Sequence, residues 1–273
     1  GAKLYMHGGA NIIVDGELEC RGTFEHPIVI RGDRFDCIND VDQTPYNQMP
    51  NQWGGIYLQN SQSHHVIENT HIRGASVGVL LVGANRSEPI LELRNSVVHN
   101  SGAYGVYAQQ GSLVIENSEI SNCGESCIAL LGGTLRMAHT TVANYYRYAT
   151  RKNASVRILN YVTQNGVRLT FPVTSAVIEN SIIFGGNPEE LELGQDTTSV
   201  TDYNVLLSHT LIKGKRVESD RFIDCRWARS QNERNGIDTV FVNTSIIDIT
   251  ETGYFNFHLD SLSYARDCGS TSV

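Results

Sequence analysis

The residues most able to do chemistry in this chain are few and scattered. Asp36, Asp40 and Asp42 crowd one polar stretch, and three carboxylates so close together form an oxygen set suited to Ca²⁺. The stretch lacks the turn glycine and the distal glutamate of a calcium loop, so a solvated loop is the stronger reading. Tyr145, Tyr146 and Tyr148, with Tyr107 upstream, are rings of the kind that stack on sugars. The plain alternative is that they cover the core beneath them. His64, His65 and His71 are near neighbours, but adjacent side chains of an extended chain point to opposite faces, which splits the first two. Cys123 and Cys127 have no second pair and no nearby histidine, too little for zinc. With Cys20, Cys37, Cys225 and Cys268 they are expected to be packed thiols. Glycoside hydrolysis needs two carboxylates flanking one bond. No such pair stands apart, so the catalytic residue is unknown from sequence.

The elements that would position these residues are set by a repeat. A frame of apolar, any, apolar, any, Asn recurs, ending on Asn69, Asn95, Asn117, His139, Asn160, Asn180 and Asn204 in steps of 20 to 26 residues. The period of two within each segment marks a strand with one buried face. A unit of about 22 residues holds three short strands and three turns, one coil of a parallel β-helix. The fold expected is all-β: a right-handed parallel β-helix of about ten coils, one domain over 1–273, with irregular terminal coils. The recurring Asn is expected to form a hydrogen-bonded ladder along the coil and to accept the left-handed backbone that such turns need. His139 stands in for Asn. Glu68, Arg94 and Glu116 alternate in sign beside that column, a solvated charge ladder worth a few tenths of a kcal/mol per pair. A polar insertion spans about 33–52, the stretch from about 215 is less regular, and Pro188-Glu-Glu suggests one helical turn.

Composition narrows the function classes. The chain of 273 residues carries a net charge of −8 with scattered Lys and Arg, which argues against nucleic acid. No stretch is apolar enough to span a membrane. The chain opens on strand-like Gly1-Ala-Lys-Leu-Tyr5, so any secretory or anchoring segment is expected to have preceded it.

Three phrases resemble the right-handed parallel β-helix repeat proteins of the bacterial secreted and surface lipoprotein type. The opening Val14-Asp-Gly-Glu-Leu-Glu-Cys-Arg-Gly-Thr-Phe-Glu-His-Pro-Ile-Val-Ile30 is similar to theirs. Gln52-Trp53-Gly-Gly55-Ile56 follows, and Phe257-His-Leu259 through Ser263, Ala265, Asp267 and Gly269 is similar to their closing phrase. The resemblance implies an extracellular or bacterial-surface location but names no activity. Enzymes sharing this fold cleave polysaccharides, yet the Asp-Asp and Gly-His-Gly phrases of polygalacturonases are missing. The expectation is therefore a surface β-helix monomer without a recognisable catalytic site that binds a glycan along one face, with no cofactor beyond Ca²⁺ at the Asp36 cluster. The alternatives are a polysaccharide lyase or glycoside hydrolase with an atypical site, and a structural spacer. Function is expected in the insertions near 33–52 and 143–153.

Overall fold

The computed structural model describes residues 1–38, 44–59, 62–83, 90–228, 240–244 and 255–271. Across them the chain winds as a parallel β-helix with three faces. The first face is a nine-stranded sheet of Lys3–Met6, Ile28–Gly32, Thr70–Arg73, Val97–Ser101, Glu119–Cys123, Thr141–Asn144, Ile182–Gly185, Leu211–Lys213 and Arg226–Ala228. The second stacks Asn11–Val14, Trp53–Leu58, Ala75–Val82, residues 104–109 and 126–131, Val156–Leu159 and Leu191–Gly194. The third stacks Glu19–Arg21, His65–Glu68, Leu91–Arg94, residues 113–116 and 135–138, Val173–Glu179, Tyr203–Ser208 and Phe222–Ile223. Among the described residues the only helical turn is Tyr46–Gln48, a 3-10 turn, and no helix is long and apolar enough to cross a membrane.

In-register stacking makes the core. On the first face Ile72, Val98, Ile120, Val142, Ile183 and Ile212 point inward and are fully buried. On the third, Ile67, Leu93, Ile115, Met137, Ile178 and Leu207 do the same. Each such side chain contributes about 1.5–3 kcal/mol by leaving water, and like shapes meet at the strand spacing of about 4.8 Å.

The corner from third to first face is a single left-handed residue. It is Asn69, Asn95, Asn117, His139, Asn180, His209 and Asp224, with φ between 44° and 50°. Non-glycine residues enter that region at a cost that Asn relieves best. These side chains face outward: Asn95, Asn117 and His139 are exposed.

Two residues expected in this column lie elsewhere. Asn160 ends a second-face strand and is fully buried, and Asn204 is an exposed residue inside Tyr203–Ser208 whose amide donates to the Thr174 carbonyl. The true coil runs from His139 to Asn180 and carries two insertions, residues 145–155 and the hairpin of Tyr161–Gln164 with Val167–Thr170. Their combined length mimics one extra repeat. Pro188-Glu-Glu forms no helical turn, because the Glu190 carboxylate is drawn inside instead.

The hydrogen-bonded ladder belongs to the residue after each corner. Thr70, Ser96, Ser118, Thr140, Ser181 and Thr210 are buried. Each hydroxyl donates to the carbonyl two residues back, at 2.6–3.0 Å. The oxygens of Ser96, Ser118, Ser181 and Thr210 then accept the backbone N–H of the preceding coil's hydroxyl residue. In the last coil Cys225 takes this slot, its thiol facing the Ile223 carbonyl. A second, buried Asn column, Asn100, Asn122 and Asn144, fills the corner from first to second face. There Asn144 accepts from Cys123 N–H and donates to its carbonyl.

After Arg226–Ala228 the chain doubles back along the outside of the first face. An antiparallel pair, Phe241–Asn243 with Asn256–Leu259, buries Phe241 and Phe257 against Ala143, Phe184 and Leu211. Arg226 fastens the tail by donating to the carbonyls of Tyr264, Arg266 and Asp267, and Asn180 exchanges two hydrogen bonds with Ser270.

Candidate functional site

The outside of the first face and the corner beside it form an open groove of about 570 Å³. One wall is the column of Asn69, Asn95, Asn117 and His139, which presents an amide or imidazole from each successive coil. The floor is the outward row His71, Val97, Glu119 and Thr141, one residue per strand. Phe24 and Pro27 border it in the early coils, and Phe257 and His258 of the returning tail close the other side. Both ends of the sequence are thus needed to shape it.

Beside the floor, in the next outward row of the same strands, lies a polar cluster. Ser121 is fully buried, and its hydroxyl donates to Glu119 Oε1 at 2.7 Å. A hydroxyl has one hydrogen, so the 2.5 Å contact between Ser121 Oγ and His99 Nδ1 places a donor hydrogen on His99. This link commits Ser121 on both sides, and its full burial keeps it out of the groove. Burial pushes the Glu119 carboxyl up, but His99, Ser121 and Arg73 together outweigh it and hold the group below the usual carboxylate range. Burial, with help from Arg73, holds the His71 imidazole below its ordinary value, favouring the neutral ring. The floor therefore offers a neutral imidazole and an ionised carboxylate on strands two apart, with Val97 between them. Phe255 and Phe257 lie across His99 with ring centroids 5.9 and 6.4 Å away.

A smaller cleft of about 270 Å³ lies on the second face. Tyr104 and Tyr107 line it with ring centroids 5.1 Å apart, the inserted hairpin supplies Tyr161 and Thr163, and Arg157 pairs with Glu192 at 2.6 Å. Of the four tyrosines singled out in the sequence, only Tyr107 is here.

Tyr145 stacks on Phe257 and meets Phe241 edge-on, so it docks the returning tail. Tyr146 and Tyr148 meet edge to face, and the Tyr148 hydroxyl donates to the Gln48 carbonyl at 2.8 Å, which joins the two insertions. Asp36 is exposed and paired with Arg34 at 2.5 Å; Asp40 and Asp42 lie outside the described residues. Among the described residues no group of three His, Cys, Asp or Glu gathers for a metal. His65 is buried and accepts the Leu18 N–H, while His64 faces Glu92, so the pair is split between faces.

Sequence reasoning missed Glu119, His99, Ser121 and Arg73. The signal was present: in the repeat frame the residues two and four places after each corner point outward from the first face. There the sequence reads His71 and Arg73, Val97 and His99, Glu119 and Ser121.

A family model described as a right handed beta helix region matches residues 54–214, well over half of the chain. No curated protein and no solved structure matches it. With the parallel faces and their repeated corners, this match identifies the chain as a member of the right-handed β-helix family.

Proposed function

We propose that this protein binds a polysaccharide lying along the groove of its first face, as a surface or secreted β-helix protein. The observation that carries the reading is the outward column Asn69, Asn95, Asn117 and His139. It repeats a hydrogen-bonding side chain every ~4.8 Å along the axis, which suits a polymer that repeats its own hydroxyls. The exposed Phe24 ring adds apolar surface for sugar faces. The tyrosine cleft fits less well, because its Arg157 and Glu192 already satisfy each other.

Affinity electrophoresis through gels cast with a panel of polysaccharides tests this reading. Replacing Asn95 and Asn117 together by Gly keeps the left-handed corner and deletes both amides, so retention is expected to fall while the melting temperature holds. If the intact chain is retarded by no polysaccharide, the reading fails.

Cleavage of such a polymer is the second reading, favoured by neutral His71 and ionised Glu119 on one groove floor. Release of reducing ends, lost in His71→Gln, would move the assignment from binding to catalysis.

A further inference from the structure

The buried charges of this protein are nearly all answered within the chain. Arg151 and Glu190 form a bidentate pair at 2.6 and 2.9 Å, with Ser155 and the Asn187 N–H completing the carboxylate. Lys213 donates to the Gly185 carbonyl and lies over the Phe184 ring. Arg73 is different. It ends the strand Thr70–Arg73 next to the groove floor, its Nε is sealed from solvent, and that atom has no hydrogen-bond partner.

The surroundings sharpen the anomaly. Arg31, on the neighbouring strand of the first face, is satisfied by its own loop: it donates to the carbonyls of Gly32 and Arg34 and lies over Phe35. His99, on the neighbouring strand to the other side, is held by Ser121. The nearby carboxylate, Glu119, is committed to Ser121 and faces His99 at 3.7 Å. No carboxylate among the described residues comes within 4.0 Å of the Arg73 guanidinium. Two arginines and a histidine thus stand on consecutive strands against a single carboxylate that is already engaged. A guanidinium keeps its charge at any physiological pH and presents a planar fork of donors that matches an oxyanion. Leaving it unpaired in a partly buried place is unfavourable, and the arrangement makes sense when an incoming group supplies the missing charge.

We infer that Arg73, two residues along its strand from the groove-lining His71, is the anion anchor at the edge of the groove, receiving a carboxylate or sulfate oxyanion carried by the bound glycan. This rests on reading the groove as a glycan site, and it narrows the ligand from polysaccharides in general to charged ones. It also divides the labour: the Asn column meets hydroxyls, and Arg73 selects the acidic residue.

Calorimetric titration of the full chain with an oligogalacturonate, its methyl-esterified counterpart and a sulfated oligosaccharide tests it, alongside thermal melts in sodium sulfate. Arg73→Gln is expected to weaken the acidic ligand about 10- to 100-fold, the range for losing a charge-assisted hydrogen bond, and to leave the esterified one unchanged. Arg73→Lys, which keeps the charge without the fork, should recover part of that loss. Because Arg73→Gln removes an unanswered charge, its ligand-free melting temperature should hold or rise. Were it nevertheless to misfold, the Lys variant against the wild type decides. Equal binding of acidic and esterified forms, or an indifferent Arg73 variant, overturns the anchor while leaving glycan binding intact. Sulfate protection that depends on Arg73, without any glycan binding, keeps the anchor and removes the glycan. No binding of any probe removes both.

Discussion

At the scale of single residues, two adjacent positions divide the work of each corner. The corner residue supplies a left-handed backbone and an outward side chain; the next residue supplies a buried hydroxyl that ties its coil to its neighbour. Substitution should separate the two. Asn117→Gly keeps the φ of 48° at no steric cost and is expected to be nearly neutral. Asn117→Ala should lose about 1–2 kcal/mol, the left-handed penalty. Ser118→Ala strands the buried Ser96 N–H, which that hydroxyl serves, while the Glu116 carbonyl keeps the Asn95 N–H, and should lose about 1–3 kcal/mol. Urea midpoints would rank the three, and a Gly variant as damaging as Ser118→Ala would mean that the amide itself carries the ladder. The Asn repeat was conspicuous in the sequence because Asn69, Asn95, Asn117 and Asn180 are each preceded by alternating apolar residues. The hydroxyl beside it was harder to see, since Ser, Thr and once Cys share the slot, although Asn69-Thr70, Asn95-Ser96 and Asn117-Ser118 stand in plain view.

At the scale of elements, the strands of the coil were legible and the returning tail was not, for one physical reason. A coil strand is specified by what is stacked on it, so its pattern repeats. The pair Phe241–Asn243 and Asn256–Leu259 is specified by the patch it covers, where Ala143, Phe184 and Leu211 occupy outward positions that polar residues fill elsewhere. The coincidence that placed Asn160 near one period after His139 hid two insertions in the same way, since spacing alone cannot distinguish a coil from loops of equal length. The tail is expected to open as its own cooperative unit. Phe257→Ala removes a ring that contacts Tyr145, Phe241, Phe255 and His99, and hydrogen exchange across 255–271 should then approach that of an open segment. The strands Glu119–Cys123 and Thr141–Asn144 beneath should keep their protection. If they exchange together with the tail, the tail is part of the coil's own folding unit.

At the scale of the whole molecule, the stacked coils contribute roughly additive neighbour terms, and two groups in one groove give the sum a pH dependence. His71 titrates below its ordinary 6.5 in the folded chain, so on acidification the unfolded chain takes up that proton first. Its stabilisation is complete above about 6.5 and declines as pH falls toward the folded value. Glu119 is held below its ordinary 4.5, so its contribution is intact above that value and is lost as pH falls through the folded one. Stability should therefore fall in two stages on acidification, one setting in below about 6.5 and the other below about 4.5, and each stage should be removable on its own. His71→Gln should flatten the upper stage and leave the lower, while Glu119→Gln should do the reverse. The Glu119 variant also frees His99 and Ser121 from their shared carboxylate, so it should start from a lower plateau. Urea midpoints taken across this range for the three proteins check the assignment, and an upper stage that survives in His71→Gln would place the titration on a group other than His71.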